Sequence, residues 1–167
     1  MKALVVIGLL LASSFAGLAY AQAPKVSAED LRGLTGGQWK GTLTYRDYGT
    51  GRQVSIPSDL IVTQAAGDET SWVFEYVYPK EPKANGRQTV RLEEGGAVID
   101  GERVVERTSL AGGALKVVTE KRGKDDGREA VFRHTYTFAA SSFSVSKEVR
   151  HEGAAEFFER SRYSWHR

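Results

Sequence analysis

From Gln38 to the C-terminus, apolar and polar residues alternate with a period of two, and short clusters rich in Gly, Asn and Asp interrupt the alternation. Period two sends successive side chains to opposite faces of a strand. The pattern therefore predicts strands at Gln38 to Tyr48, Arg52 to Ala65 with a break near Pro57-Ser58, Thr70 to Tyr78, Arg87 to Glu93, Ala97 to Leu110 with a kink near Gly101, Ala114 to Lys121, Arg128 to Ala139, Ser142 to His151 and Ala155 to His166. Between them, Gly49-Thr50-Gly51, Ala66-Gly67-Asp68, Asn85-Gly86, Gly95-Gly96, Gly112-Gly113, Asp125-Asp126-Gly127 and Glu152-Gly153 supply the residues that hairpin turns need. Consecutive strands with short links leave two raw edges unless the sheet closes. The expected fold is all-β, an antiparallel up-and-down β-barrel of about 8 to 10 strands. One short N-terminal helix precedes it, Lys25 to Leu34, with Ser27 as N-cap, Asp30 completing a capping box and Gly33 or Gly36 ending it.

Alternation also assigns faces. In the first strand Trp39, Gly41, Leu43 and Tyr45 point inward, and Trp39, at the strand's first turn, plugs one end of the barrel. Trp72, Phe74 and Tyr76 form a second inward wall, and Phe132, His134, Tyr136 and Phe138 a third. If Ala140-Ser141 is a two-residue turn, Phe138 faces Phe143, Tyr136 faces Val145, His134 faces Lys147 and Phe132 faces Val149. If Gly153-Ala154 centres the last hairpin, Lys147 faces Arg160, Val145 faces Arg162 and Glu148 faces Glu159. His134, Lys147, Arg160 and Arg162 would then gather inside an aromatic barrel.

Buried cations need internal acids, water or an anionic ligand. The ligand reading makes Trp72, Phe74, Tyr76, Phe132, Tyr136 and Phe143 the wall of a binding cavity, with His134, Lys147, Arg160 and Arg162 at the charged head. In the structural reading the arginines stack on Trp39 or pair with acids such as Glu75 or Glu106. A one-residue slip in the last hairpin would carry them outside.

Composition narrows the classes further. The chain has 167 residues, 23 Lys and Arg, 21 Asp and Glu and no cysteine. Charges of both signs are interleaved, so no basic face for nucleic acid is expected. Met1-Lys2, the apolar run Ala3 to Leu18 and Ala19-Tyr20-Ala21 read as a cleaved signal peptide, residues 1–21, leaving one barrel domain at 22–167, secreted or periplasmic and without a membrane anchor. No catalytic residue is assigned: there is no nucleophile elbow and no phosphate-cradling loop, and the three histidines lack metal-ligand spacing.

The short helix, the Gly37-Gln38-Trp39 run, the strand meander and an Arg-bearing last strand together resemble the calycin superfamily, which includes lipocalins, fatty-acid-binding proteins, avidins and nitrobindin-like haem proteins. The resemblance covers Lys25 to Arg167 and is architectural. It implies that Trp39 packs under Arg160 or Arg162 at the closed end. The lipocalin Thr-Asp-Tyr loop and the fatty-acid-binding Arg-x-Tyr pair are missing, since Tyr163 directly follows Arg162. The expected function is capture of a small apolar or amphipathic ligand, an anionic one being among the alternatives, with no cofactor. Alternatives are a filled barrel serving as an envelope structural or protein-interaction module, haem held by His134 as the nitrobindin resemblance allows, and a barrel enzyme.

Overall fold

The computed structural model describes residues 23–167, so the predicted signal peptide lies outside the described residues. A five-residue helix, α1 (Ala28–Arg32), is followed by strands β1 (Gln38–Arg46), β2 (Gln53–Pro57), β3 (Asp59–Gln64), β4 (Ser71–Val77), β5 (Gly86–Glu93), β6 (Val98–Ile99), β7 (Glu102–Ser109), β8 (Leu115–Asp125), β9 (Arg128–Phe138), β10 (Ser142–His151) and β11 (Phe158–His166). Neighbours in sequence pair antiparallel, and β11 returns to pair with β1 from Lys40↔His166 to Tyr45↔Ser161. β1 has β2 beside its second half and β3 beside its first, so β2 and β3 act as one strand bent at Ser58. The result is the expected closed antiparallel barrel, of ten staves. The predicted break at Pro57-Ser58 is that bend. Buried Ser58 donates its N–H to the Gly41 carbonyl at 2.9 Å and accepts the Trp165 indole N–H at 2.9 Å.

One end of the barrel is corked. In α1, the Ser27 N–H donates to the Asp30 carboxylate at 2.9 Å, and Arg107 of β7 donates to the same carboxylate at 2.7 Å, fixing the helix to the wall. The helix is shorter than predicted because few of its residues meet the core: Val26, Leu31 and Leu34 are buried and the rest face solvent or are half-buried. Trp39, fully buried, donates its indole N–H to the Leu34 carbonyl at 2.8 Å. The cation over its ring is Arg167, at 4.2 Å, rather than Arg160 or Arg162 as the family resemblance implied. Arg167 also donates to the carbonyls of Gly33 and Thr35 and so clamps the cork.

Two departures from the sequence reading matter for the interior. The kink expected near Gly101 is a full reversal: Asp100 (φ 50°) and Gly101 (φ 73°) form a two-residue turn between β6 and β7. Paired positive φ values are what a tight hairpin demands, and Asp-Gly is a strong code for it. Second, β10 and β11 pair Lys147 with Ser161 and Val145 with Tyr163, not with Arg160 and Arg162. Glu148 does face Glu159, so the register shifts by one between Lys147 and Glu148. Arg160 is the extra residue of that β-bulge.

Candidate functional site

Across β8 to β11 the inward residues line up in rows. Nearest the cork lies Leu115, Phe138, Phe143 and Trp165; next come Val117, Tyr136, Val145 and Tyr163; then Thr119, His134, Lys147 and Ser161. The first row is solid core. Phe143 stacks between Phe138 and Trp165 at 5.2 and 5.3 Å, and the indole of Trp165 lies against Gly41 of β1. A Cβ on Gly41 would come within 2.6 Å of the indole and 2.1 Å of the Ser164 carbonyl, so only glycine admits this ring.

Above that core the rows part to leave a cavity of about 240 Å³. Its apolar wall is Phe74 and Tyr76 of β4, Val90 of β5, Tyr136 of β9, Val145 of β10 and Tyr163 of β11. Toward the mouth it meets a polar belt of Glu102, His134, Lys147 and Ser161, with Gln88 and Asp100 at the exposed edge. The hairpin turn at Asp100-Gly101 is what aims Glu102 inward.

The belt is ordered by hydrogen bonds. Glu102 accepts from Thr119 Oγ1 at 2.6 Å and lies 2.7 Å from His134 Nδ1. Burial pushes the Glu102 carboxyl up, but His134, Thr119 and Lys121 outweigh it and hold the group below the ordinary carboxylate range. Lys147, directly across the strand pair from His134, makes no ion pair among the described residues, and its ammonium sits 4.6 Å from the centre of the Phe132 ring. Tyr163 and Tyr78 share a hydroxyl hydrogen bond of 2.8 Å. Burial pushes the Tyr76 phenol up to about 12 and those of Tyr136 and Tyr163 still higher, so all three stay protonated.

The structure thus brings Phe74, Tyr76, His134, Tyr136 and Lys147 together around the cavity. Trp72 and Phe143 are buried beneath it, in the corked half. Phe132 lies one row beyond the belt, paired with Val149 and Lys121. Arg162 points outward and pairs with Glu159. Arg160 turns from the bulge to buried Asp125, which His151 Nε2 also meets at 2.8 Å, and it is sandwiched between the rings of Tyr48 and Phe158. The four-cation cluster inferred from the sequence is therefore divided: His134 and Lys147 share the cavity, and Arg160 and Arg162 each have an acid elsewhere. Among the described residues no His, Cys, Asp and Glu side chains form a group of three able to hold a metal ion.

The cavity residues that sequence reasoning passed over are Gln88, Val90, Asp100, Glu102, Ser161 and Tyr163. Asp100-Gly101, flanked by Val98-Ile99 and Val104, carried a readable hairpin code. Nothing in the sequence marked the bulge that substitutes Ser161 and Tyr163 for the arginines.

No family model matches the chain, and no curated protein does. Among solved structures, the chain is similar to Rv2717c from M. tuberculosis, at 14% identity over 86% of this chain and 99% of that one, with a TM-score of 0.49. A mutant of the fluorescent protein UnaG is similar at 13% identity over 82% of this chain and 97% of that one, with a TM-score of 0.39.

Proposed function

We propose that this protein is an exported small-molecule-binding barrel whose ligand is apolar or amphipathic. The ligand's body rests on Phe74, Tyr76, Tyr136 and Tyr163, and its polar or anionic end meets Lys147 and His134. The observation that carries this reading is the cavity of about 240 Å³, aromatic inside and polar at the mouth, where the Lys147 ammonium meets no carboxylate among the described residues. Concave, largely apolar sites with a few placed polar groups are the general form of small-molecule pockets, which run from roughly 300 Å³ upward. The size points to a compact ligand. Haem through His134 is disfavoured on two grounds, the small volume and the carboxylates Asp100 and Glu102 in the lining, which would repel an anionic porphyrin. A filled envelope module is disfavoured by the cavity's existence. Export, with residues 1–21 removed, rests on the charged, apolar and small-residue pattern of that segment, and N-terminal sequencing of the protein from the producing cell is expected to begin at Gln22.

Mass spectrometry of the natively purified protein tests the binding reading. A co-purifying small amphipathic molecule is expected, with its occupancy reduced in Lys147→Met and abolished in Val145→Phe, which fills the cavity. No bound species, together with an unchanged melting temperature across a panel of small aromatic and aliphatic compounds, would refute it.

A further inference from the structure

The polar belt contains more than a cation. His134 Nδ1 is committed to Glu102, and Thr119 donates to the same carboxylate oxygen. An ionised carboxylate can only accept, so the proton between them belongs to Nδ1, and in the neutral form of the ring the lone pair is on Nε2. Nε2 has no hydrogen-bond partner among the described residues and is not among the buried unpaired atoms, while the ring lines the cavity; Nε2 therefore opens into it. Directly across the strand pair stands Lys147. An acceptor oriented by a carboxylate, with a free ammonium one strand away, is an arrangement that takes a proton from a ligand and holds the anion that results.

We propose that the ligand's head is an acidic hydroxyl, a phenol or an enol, which gives up its proton in the cavity. The inference rests on the binding reading above and specifies its chemistry. The O–H bond breaks and an Nε2–H bond forms on His134; the new imidazolium is stabilised by Glu102 at Nδ1, and the phenolate or enolate oxygen remains between Nε2–H and the Lys147 ammonium. No electrons change hands and the net charge of the cavity is unchanged. The groups facing His134 fit this division of labour: Glu102 from β7, Thr119 and, through Glu102, Lys121 from β8, Lys147 from β10, and Asp100 at the mouth. A carboxylate ligand would instead bring a full charge past Asp100 and Glu102. An acidic hydroxyl passes them neutral and acquires charge only beside Lys147. The aromatic wall suits a planar ligand: Tyr163 stacks on Trp165 with centroids 4.9 Å apart, and Tyr76 packs tilted against both at 5.4 and 6.2 Å.

The probe is 3-nitrophenol, whose phenolate absorbs in the visible, at neutral pH where the free molecule is mostly protonated; its methyl ether 3-nitroanisole reports binding without ionisation. Wild-type protein is expected to bind both and to generate the phenolate band, lowering the bound phenol's apparent pKa by about one unit, a tenfold gain in the ionised fraction. His134→Gln is expected to lose the band while keeping the wild-type near-ultraviolet circular dichroism, which shows that the variant is folded. Binding of both compounds with no phenolate band, or a band that persists in His134→Gln, overturns the proton transfer and leaves the binding reading intact. Failure of both compounds to bind overturns the binding reading and the inference with it.

Discussion

At the scale of single residues, the interior depends on a few positions with no latitude. Gly41 is one, because the Trp165 indole and the Ser164 carbonyl occupy the space of its missing side chain. Gly41→Ala is expected to destabilise the barrel by about 1–3 kcal/mol, the usual cost of overpacking, measured as a lower urea midpoint with an unchanged slope. Asp125 is another. Burial pushes its carboxyl up, but Arg160 and His151 outweigh that and set it below its ordinary value of 3.8. A carboxyl depressed on folding stabilises the native state at pH values above its unfolded pKa, and that contribution fades as pH falls through 3.8 toward the lower folded value. Asp125→Asn, which leaves Arg160 and His151 facing a neutral amide, is expected to cost about 3 kcal/mol at neutral pH. Melting temperatures of the variant and wild type should converge on acidification. Of these residues, the alternation of Trp39, Gly41, Leu43 and Tyr45 exposed the inward face of Gly41, but the partner acid of Arg160 was hidden: Asp125 sits in an Asp-Asp-Gly run that reads as a turn, and only tertiary pairing turns its side chain inward.

Among the elements, register decides which side chains meet the ligand. The β9–β10 pairing was legible in full, because Phe138, Tyr136, His134 and Phe132 find Phe143, Val145, Lys147 and Val149 once the turn at Ala140-Ser141 is placed. The β10–β11 pairing was legible at Glu148↔Glu159 and lost beyond it. A bulge inserts a residue without changing the local pattern of apolar and polar positions, and Arg160, Ser161 and Arg162 carry no aliphatic marker of their facing. The family resemblance misled at the same place, since the cation over Trp39 comes from Arg167, five residues past Arg162. The β6–β7 hairpin carried its Asp-Gly code, but its brevity let Ala97 to Leu110 read as one kinked strand. With two paired residues on each side, β6 is the thinnest stave of the ring, whereas β8 and β9 pair over eleven. Amide hydrogen exchange is expected to open at Val98 and Ile99 well before Val117 and Thr119, because local stability follows the density of paired and buried backbone. Gly101→Val, which forces a β-branched residue to positive φ, is expected to loosen that hairpin and to weaken ligand binding with it, through the displaced Glu102.

For the molecule as a whole, closure leaves one end corked and the other accessible. Trp39, Leu31, Leu34 and Val26 fill the first end with Arg167 over them, and the rows of Phe143 and Trp165 make the lower half solid. The upper half holds the cavity, to which β10 and β11 contribute the small Val145 and Ser161 beside Lys147 and Tyr163. Period-two alternation predicted the barrel and its inward faces, but a hollow barrel and a filled one share that alternation, so the cavity became visible only with the rows in register. The proposed function requires this hollow half to take up a small planar or amphipathic molecule. Its most direct test is side-chain NMR during titration of the labelled protein with 3-nitroanisole. Saturable shifts are expected at Val90, Tyr136, Val145 and Tyr163, with Leu115, Trp39 and the outer face unchanged. Saturable shifts confined to the outside of the barrel, or none at millimolar ligand, would contradict it.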